Sequence, residues 1–571
     1  MLGLDDLEVQ QLHSTWYKEN KQKLLSSKFK NYDTEIIPLF FRYIQGNIPN
    51  VEKFDLIMAS TDLRTPAESY KARDMKRRII MHVGPTNSGK TYSALQKFYK
   101  SESGVYCGPL RLLAHEIYDK SNSLGYPCNL VTGEEKRESD VEMTNLEKVF
   151  DIAIGNDERG WAWTRALLGV RANEVHLCGE ESAVPLIERI LEETGESLEI
   201  KRYNRLTPLS IQNKAIRSLK NIEKGDCIVT FSRKSIFSLK AAIEKNNTVA
   251  VIYGGLPPET RADQARLFNS NDYNVLVASD AIGMGLNLNI KRIIFESLEK
   301  YNGVKWEPLE VSQVKQIAGR AGRFKTQYEH GQVTTLEQQD LKKLHHYMNS
   351  EIPKIQKAGL LPEIDQIEKF NETLPGLKLA DLLTRFQELA TLDQNYFFCN
   401  LKDLCRLAEA LEGIPLTLKD RYTFIQSPCG KHDQIMDCFT DFANKHSTDT
   451  VVYIKDYIQF QNTGNLSTLE TLHKIIILYL WLGQRFPETF VDLEEALVLK
   501  VKIEERINEK LQSMSFRKRK RMFEEEHLQQ LMKQQERLLN STSDEPVSVA
   551  ETKSGDAKPE QLPKRERTRR Y

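Results

Sequence analysis

The clearest candidate for chemistry in this chain is a glycine-rich run with one lysine, which fits the pattern G-x-x-x-x-G-K-[ST]. Its consecutive residues are Gly84, Pro85, Thr86, Asn87, Ser88, Gly89, Lys90 and Thr91. Backbone N–H groups in such a loop, together with the N-terminus of the helix that follows, carry positive partial charge and bind phosphate groups. We expect Lys90 to bind the β- and γ-phosphates of a nucleotide and Thr91 to bind magnesium.

A second candidate is the run Gln316-Ile-Ala-Gly-Arg320-Ala-Gly-Arg323. Its two arginines are three apart, on one helix face, and from there they can reach an anionic transition state on another domain. Upstream, Val275 to Asn287 is typical of a strand that ends in a loop of small residues, where Gly285 lets a backbone come close. We assign Gly285 to the nucleotide site. A phosphate loop alone fits a kinase, a GTPase or a motor, and the arginine pair favours the motor. The alternative interpretation of the two arginines is a solvated helix face.

The hydrophobic pattern predicts the elements that must position these residues. Ile79 to Val83 is a short apolar run that leads into the glycine-rich turn, and Tyr92 to Tyr99 is a helix-forming stretch. Helical stretches separate many of the strand-like runs, which is typical of parallel α/β domains. These runs lie at 149–154, 174–178, 227–231, 249–253, 274–278 and 291–295.

The same pattern divides the chain into regions. After about residue 340 the strand signals fade and apolar residues recur three and four apart, which predicts a helical region. The final segment carries the basic run Arg517 to Arg521 and a Ser/Pro/Glu/Lys-rich end that cannot bury enough apolar surface to fold. The basic run fits a nuclear signal, an RNA contact or a solvated helix end. The predicted regions are a helical N-terminal region at 1–75, a first α/β domain at 76–204, a second at 205–345, a helical C-terminal domain at 346–510, and a charged helix with a disordered basic tail at 511–571.

Composition limits the possible classes of protein. The chain has 571 residues, and its 80 Lys and Arg balance its 80 Asp and Glu, so any site for a polyanion must be local. Its eight cysteines include no C-x-x-C pair, which argues against a zinc site and a disulfide framework. The apolar stretch Ile475 to Leu482 is shorter than the ~20 residues of a membrane span, so we expect none. The acidic start does not resemble a presequence.

The phosphate loop and the Gln-x-x-Gly-Arg-x-Gly-Arg run together resemble superfamily-two helicases of the DExH type. The resemblance narrows to the mitochondrial degradosome RNA helicase family and extends from about residue 75 to about 490. Long runs with rare Trp and Cys carry it. These runs are Tyr106 to Ala114, Arg159 to Gly169, His176 to Glu180, Ser279 to Asn287 and Gln316 to Phe324.

The resemblance implies two RecA-like domains and a helical C-terminal domain that closes a ring with them. In that domain the aromatic run Tyr396, Phe397 and Phe398 also fits a plain core. The resemblance further implies an ATP- and magnesium-dependent motor that moves 3′ to 5′ along single-stranded or structured RNA, with DNA as a second candidate. It implies an exoribonuclease partner and a place in the mitochondrial matrix, with the nucleus as the alternative. The implied catalytic residues are Lys90, Gln316, Arg320 and Arg323.

The chain departs from the family at the motif that follows the strand predicted over 149–154, which we expect to lie beside the phosphate loop. There the family has an Asp-Glu pair, in which the Asp holds magnesium and the Glu orients and deprotonates the attacking water. This chain instead continues Gly155-Asn156-Asp157-Glu158. If this chain is aligned with the family motif without a gap, Asn156 takes the position of the Asp and Asp157 that of the Glu. If the alignment contains a gap here, the whole motif is lost. Asp157, as metal ligand or base, and Glu158 are the candidate substitutes, although a one-residue slip turns a side chain to the other face of a strand.

Two hypotheses follow from this departure. The first is an active ATP-dependent RNA helicase. The second is a hydrolysis-deficient RNA- or protein-binding scaffold, or an incomplete gene model, because the family also has more chain between Asp140 and Val141. ATP turnover stimulated by RNA separates them.

Overall fold

The architecture is taken from a computed structural model. It describes residues 14–18, 20–21, 43, 51–137, 147–151, 154–283, 285–301, 305–458 and 465–513, with the backbone alone at 51–54 and 147–151. The chain divides into two units between Met514 and Ser515, and everything below concerns the first. The tail predicted to be disordered and most of the predicted N-terminal region lie outside the described residues.

The first α/β domain is built on a five-stranded sheet, with the strand order β3-β6-β7-β2-β8 and every pair parallel. Apolar residues such as Ile79 and Met81 fill the inner strand that leads into the glycine-rich loop and are fully buried, as parallel strands covered on both faces require. The elements up to the end of this sheet are α1 (Val51–Ser60), β1 (Asp62–Leu63), β2 (Arg78–Val83), α2 (Lys90–Phe98), β3 (Gly104–Cys107), α3 (Arg111–Ser123), β4 (Leu130–Val131), β5 (Lys136–Arg137), β6 (Glu147–Asp151), α4 (Gly160–Gly169), β7 (Glu174–Gly179), α5 (Val184–Glu193) and β8 (Leu198–Arg202).

The second α/β domain is built on a six-stranded parallel sheet with the order β11-β12-β10-β13-β16-β9. Its elements are β9 (Leu209–Ile211), β10 (Asp226–Val229), α6 (Arg233–Ile243), β11 (Val249–Ile252), α7 (Pro258–Asn269), β12 (Val275–Ala278), β13 (Arg292–Phe295), β14 (Glu299–Tyr301), β15 (Trp306–Pro308), α8 (Val311–Ala318) and β16 (Gly331–Thr335). The predicted α/β class with two parallel sheets is confirmed.

One predicted strand is shorter than its apolar run. The pattern predicts a strand over 149–154, whereas β6 ends at Asp151 and Ile154 already lies in a turn. The Ile154 carbonyl accepts a hydrogen bond from the Gly359 N–H, far along the chain. The end of this apolar run therefore bonds to a distant segment of the chain and does not extend the strand.

The C-terminal region is mainly helical, as predicted, but it also contains short strands. Helix α9 (Gln338–Asn349) still belongs to the second domain, because its Leu341 and Leu344 lie in that domain's apolar core. The elements of the C-terminal region are β17 (Ala358–Leu360), α10 (Ile364–Thr373), α11 (Leu379–Leu389), β18 (Thr391–Leu392), β19 (Tyr396–Phe398), α12 (Lys402–Ala410), α13 (Leu418–Ile425), α14 (Asp433–Ser447), α15 (Leu466–Gly483) and α16 (Leu493–Ser513). β17 pairs with β19, and β18 pairs with β1 near the start of the described chain. Strands of two or three residues are too short to show a period of two, so the sequence pattern misses them.

The pairing of β18 with β1 and a shared apolar cluster attach the C-terminal region to the first domain. Tyr396 of β19 is 1% exposed and lies in the same apolar cluster as Ile79 and Val175 of the first sheet, which confirms the core interpretation of this aromatic residue. All eight cysteines are free. Among the described residues, no helix combines the length and the apolar character needed to cross a membrane.

Candidate functional site

The phosphate loop joins β2 to α2 in the conformation that its glycines predict. Gly89 has φ +80° and precedes Lys90, the first residue of α2. Asn87 also takes a positive φ, of 61°, which Asn tolerates better than most residues. The Lys90 Nζ donates to the Pro85 carbonyl at 3.1 Å, so the amine folds back over its own loop.

Two features of the loop fit a bound phosphate group. A Cβ at Gly84 would stand 2.6 Å from the Tyr203 carbonyl oxygen and 2.9 Å from Ser88 Oγ, so no side chain fits there. The Ser88 hydroxyl is buried and makes no hydrogen bond within the described structure. A buried hydroxyl without a partner is costly, and a ligand oxygen would satisfy it. The residues present therefore fit the phosphates of ATP.

The second domain supplies the opposite wall through α8 and the turn that follows it. Here the arginine turn means residues 319–323. Arg320 donates through Nε to the Gly283 carbonyl at 3.0 Å, and therefore stiffens the small-residue loop of its own domain. The Gln316 side chain lies next to Gly283. Burial raises the pKa of the Glu116 carboxyl on α3, and the positive charge of Arg323 opposes this shift. Arg323 is therefore within electrostatic reach of the first domain.

The phosphate loop touches the arginine turn directly. The Asn87 amide donates to the Gly319 carbonyl at 3.2 Å and to the Gly322 carbonyl at 2.7 Å. A Cβ at Gly319 would lie 2.8 Å from Thr86 Cβ, so only glycine permits this approach. The two sequence runs with candidate chemistry, from different domains, thus form one site.

Gly285 serves a different contact from the one assigned to it. It has φ +74°, and a Cβ there would stand 2.6 Å from Leu110 Cδ1 of the first domain. The neighbouring Asn287 amide donates to the Glu116 carboxylate. The predicted close approach of a backbone is therefore present, and the partner that the structure shows is Leu110. A role for Gly285 in nucleotide binding stays a prediction.

The strand beside the phosphate-loop strand is β7, and this corrects the expectation that 149–154 lies there. β6 pairs with β7, which in turn pairs with β2, so β6 is one strand further away. In the register of the sheet Val83 faces Gly179, and the Gly84 N–H donates to the Gly179 carbonyl at 3.2 Å. The residue that leaves this strand next to the loop is Glu180.

Glu180 lies in the cleft between charges from both domains. Burial raises the pKa of its carboxyl, and the opposing charges are Lys90 of the phosphate loop and Lys315 of α8. A carboxylate that leaves the strand beside the phosphate loop and feels both cations is suited to orient a water or to share a metal ion.

Asp157 and Glu158 lie elsewhere, against the C-terminal region. The Asp157 carbonyl accepts from the Asn400 N–H at 2.9 Å. The Asn156 side chain accepts from the N–H groups of Glu158 and Arg159 at 3.0 and 2.7 Å, just before α4 begins. This segment therefore forms a turn before α4 that is tied to the C-terminal region, and the structure does not bring its acids to the phosphate loop.

The C-terminal region also binds the second domain, through buried charges. Lys500 Nζ of α16 donates to Glu259 at 2.5 Å, and the Tyr253 hydroxyl donates to Glu470 of α15 at 2.5 Å. On the first domain, a Cβ at Gly133 would lie 3.0 Å from Trp481 Cδ1 of α15. The region thus contacts both α/β domains.

Glu259, His473 and Glu504 stand close enough to hold a metal ion, but a lysine already lies among them. Lys500 Nζ lies 2.5 Å from Glu259 and 3.4 Å from Glu504. His473 Nε2 is 2.9 Å from Glu504, and burial lowers the pKa of this imidazole to about 3. The group is best described as an ionic junction between α7, α15 and α16.

Sequence comparison agrees with this architecture. Residues 66–203 match the model of the DEXQ-box helicase domain of Suv3, and residues 211–325 match the helicase conserved C-terminal domain. Residues 406–447 and 466–513 match two C-terminal domains of Suv3. The Arabidopsis thaliana protein named DExH-box ATP-dependent RNA helicase DExH16, mitochondrial, is 45% identical over 471 residues, which cover 78% of this chain and 82% of that protein. The chain belongs to the Suv3 helicase family.

Two animal members of the Suv3 family are longer than this chain. The mouse and human proteins named ATP-dependent RNA helicase SUPV3L1, mitochondrial, are 44% and 43% identical over 495 residues, which cover 80% of this chain. The chain spans 64% of the length of the mouse protein and 63% of the human one. The family model takes its name from an Asp-Glu-x-Gln box, and no such run occurs anywhere in this Suv3-family chain.

Sequence reasoning missed two residues of the Suv3-type cleft. In the sequence, Glu180 is only the last residue of the run His176 to Glu180, which resembles the family. Whether it lies near the phosphate loop depends on which strand neighbours β2. Arg205 follows the first domain in the linker and belongs to no phosphate-binding pattern. Its position before Thr207-Pro208, where the chain passes between domains, is the one available signal.

Proposed function

We propose that this chain is an ATP-dependent RNA helicase that hydrolyses ATP in the cleft between its two α/β domains. The observation that carries the proposal is the direct contact between the phosphate loop and the arginine turn, made by Asn87 and Thr86 on one side and Gly319 and Gly322 on the other. Superfamily-two motors couple ATP to movement by closing such a cleft. The relatives named above as ATP-dependent RNA helicases support the assignment.

The residues of each wall have separate tasks in this proposal. Lys90 and the phosphate-loop N–H groups bind the β- and γ-phosphates, and Ser88 contributes its buried hydroxyl. Thr91 and Glu180 are the side chains that would hold magnesium, which neutralises charge on the phosphates when bound. Arg323 stabilises the charge that develops during hydrolysis, and Gln316 and Arg320 keep the arginine turn in place.

We assign RNA to the space between the α/β pair and the C-terminal region, because that region contacts both domains. Movement from 3′ to 5′, an exoribonuclease partner, and a place in the mitochondrial matrix are parts of the proposal that rest on the family resemblance. The mitochondrial names of the relatives support the location. Duplexes with 3′ or 5′ overhangs test the direction, because only the 3′ overhang should allow unwinding.

RNA-stimulated ATP turnover by the full chain tests the main proposal, with Lys90→Ala as the comparison. Removal of the cation that faces the phosphates should abolish turnover and weaken binding of a fluorescent ATP analogue. Lys97→Ala, on the same helix, is the matched control. Equal turnover by the Lys90→Ala protein and the unmodified protein would overturn the motor proposal.

A second candidate function is a scaffold that binds RNA or protein and does not hydrolyse ATP. The placement of Asp157 and Glu158 against the C-terminal region favours it, because neither acid then reaches the phosphate loop. The decisive variant carries Ile-Asp-Glu-Ile-Gln-Met inserted between Ile154 and Gly155. ATP binding with turnover only in the insertion variant would support the scaffold, or an incomplete gene model, and turnover by the unmodified chain would exclude it.

A further inference from the structure

Arg205 lies in the linker between β8 and β9, where the chain passes from the first α/β domain to the second. All five N–H donors of a guanidinium group point in fixed directions from one plane. Here Nε donates to one carbonyl, and Nη1 and Nη2 each donate to two. The acceptors are the carbonyl oxygens of Thr207 at 2.8 Å, Thr86 at 3.0 Å, Gly319 at 2.8 Å, Ala321, and Gly322 at 3.5 Å.

Four of these five acceptors belong to the two walls of the cleft. Thr86 is part of the phosphate loop, whereas Gly319 and Ala321 flank Arg320 in the arginine turn. Nη1 alone bridges the two walls, since it donates to both Thr86 and Gly319. A single planar group therefore fixes the spacing between the phosphate loop and the turn that carries Arg323.

We propose that Arg205 is a positioning residue that couples the phosphate loop to the arginine turn. The inference rests on the proposed ATP hydrolysis and deepens it. The hydrogen bonds of Arg205 all go to backbone carbonyls, so it acts through the position of the backbone. An error of 1 Å in the placement of a reacting group can cost about 10²-fold in rate, so loss of this coupling should act mainly on turnover.

The distribution of the acceptors also indicates which domain Arg205 stays with when the cleft opens. Three of the five acceptors lie in the second domain, one lies in the linker, and Thr86 alone lies in the first domain. When the cleft opens, Arg205 should stay with the second domain and release Thr86. The Arg205–Thr86 hydrogen bond is then the contact that forms each time the cleft closes.

The test compares Arg205→Lys and Arg205→Ala in the full chain. Lysine keeps the charge but lacks the planar fork, so its single nitrogen cannot hold Thr207 and Ala321 while it also bridges Thr86 and Gly319. Both variants should lower kcat for ATP about 10²-fold and leave KM within about threefold. Arg217→Ala, which removes an exposed guanidinium that donates to Gln338 of its own domain, is the matched control and should leave both unchanged.

Hydrogen exchange supplies a readout that needs no turnover. In both Arg205 variants the amides of 84–91 and 319–323 should exchange faster than in the Arg217→Ala protein. Full kcat in Arg205→Lys would show that charge suffices and would overturn the inference, as would unchanged exchange in both segments. If the unmodified chain hydrolyses no ATP, the proposed hydrolysis is wrong. Faster hydrogen exchange in the Arg205 variants would then still support the coupling of the two walls. If Arg205→Ala does not fold, Arg205→Lys decides.

Discussion

The two walls of the cleft differ in how completely they match the chemistry expected of them. On the second domain, Gln316 lies on α8, but Arg320 and Arg323 lie in the turn after it and not on one helix face, because the helix already ends at Ala318. On the first domain the phosphate loop is intact, but the acids after β6 lie against the C-terminal region. Binding of phosphate and activation of water are therefore separable here, because different strands position the residues for each.

The two domains also differ in how the C-terminal region holds them. Backbone hydrogen bonds join it to the first domain, including the bond from Gly359 to Ile154. Ion pairs such as that of the buried Lys500 with the partly exposed Glu259 join it to the second. The first junction should respond little to pH, whereas the second should respond strongly, since burial penalises any change in charge.

The largest effect expected on the cleft comes from Arg323→Ala. An arginine that stabilises transferring phosphate contributes about 10³–10⁵ in rate, so ATP turnover should fall by that range while RNA affinity stays nearly intact. Single-turnover hydrolysis and RNA titration measure the two. Lys325→Ala, an exposed cation on the same segment, is the control. Loss of RNA affinity instead would make Arg323 a nucleic-acid contact and break the comparison of the walls.

Glu180→Gln tests whether the first wall retains an acid. A positioned base contributes about 10²–10⁴ in rate, so turnover should fall by that factor while the ATP analogue still binds. Glu181→Gln is the matched control, because Glu181 pairs at 2.8 Å with Arg202 in solvent, with both side chains 61% exposed. Equal turnover in the Glu180→Gln and Glu181→Gln proteins would show that Glu180 does not replace the missing acids.

The contribution of His473, which is 5% exposed, to the stability of the junction with the second domain should fall with pH, and Glu504, whose pKa burial raises to about 8, contributes in the opposite direction. Burial lowers the pKa of this imidazole to about 3, and Glu259, Lys500, Arg111 and Lys474 act on it as charges. The unfolded histidine binds protons below about pH 6.5 and the folded one does not, so stability is lost as pH falls.

At pH 5 the loss is about 2 kcal/mol, or about 30-fold in the protection of the α15 amides against hydrogen exchange. The His473→Gln protein has no proton to gain at this position, so the substitution should remove most of this pH dependence. If the unmodified protein and the His473→Gln protein lose protection equally between pH 7 and pH 5, other groups govern the junction.

The smallest effect expected concerns Asn87→Gly. Glycine keeps the positive φ without strain but removes the amide that donates to Gly319 and Gly322. The loss should be about 1 kcal/mol, or about fivefold in kcat/KM for ATP. Asn122→Gly, whose amide bonds within the first domain, is the control. A loss as large as that of the Arg205 variants would mean that Asn87, and not Arg205, governs the contact of the walls.

Sequence reasoning located the two motifs because each is local. The turn that cradles phosphate needs Gly89 at φ +80° and a lysine directly after it, and both are written within one short run. Most inner strands of both sheets follow from continuous apolar runs such as Ile79 to Met81, which bury both faces, whereas β8, β9 and β16 lie outside the predicted runs. The same local logic misses β17 and β18, whose partners lie far away in the chain.

The sequence by itself determined the α/β class, the phosphate loop, the arginine turn and the departure after Ile154. Only the tertiary structure decided that β7 stands beside β2, and therefore that Glu180 and not Asp157 lies near Lys90. It also decided that Arg205 bridges the two walls. The physical reason is that strand order and contacts between domains depend on packing of distant segments, which leaves no periodic or compositional trace in any one of them.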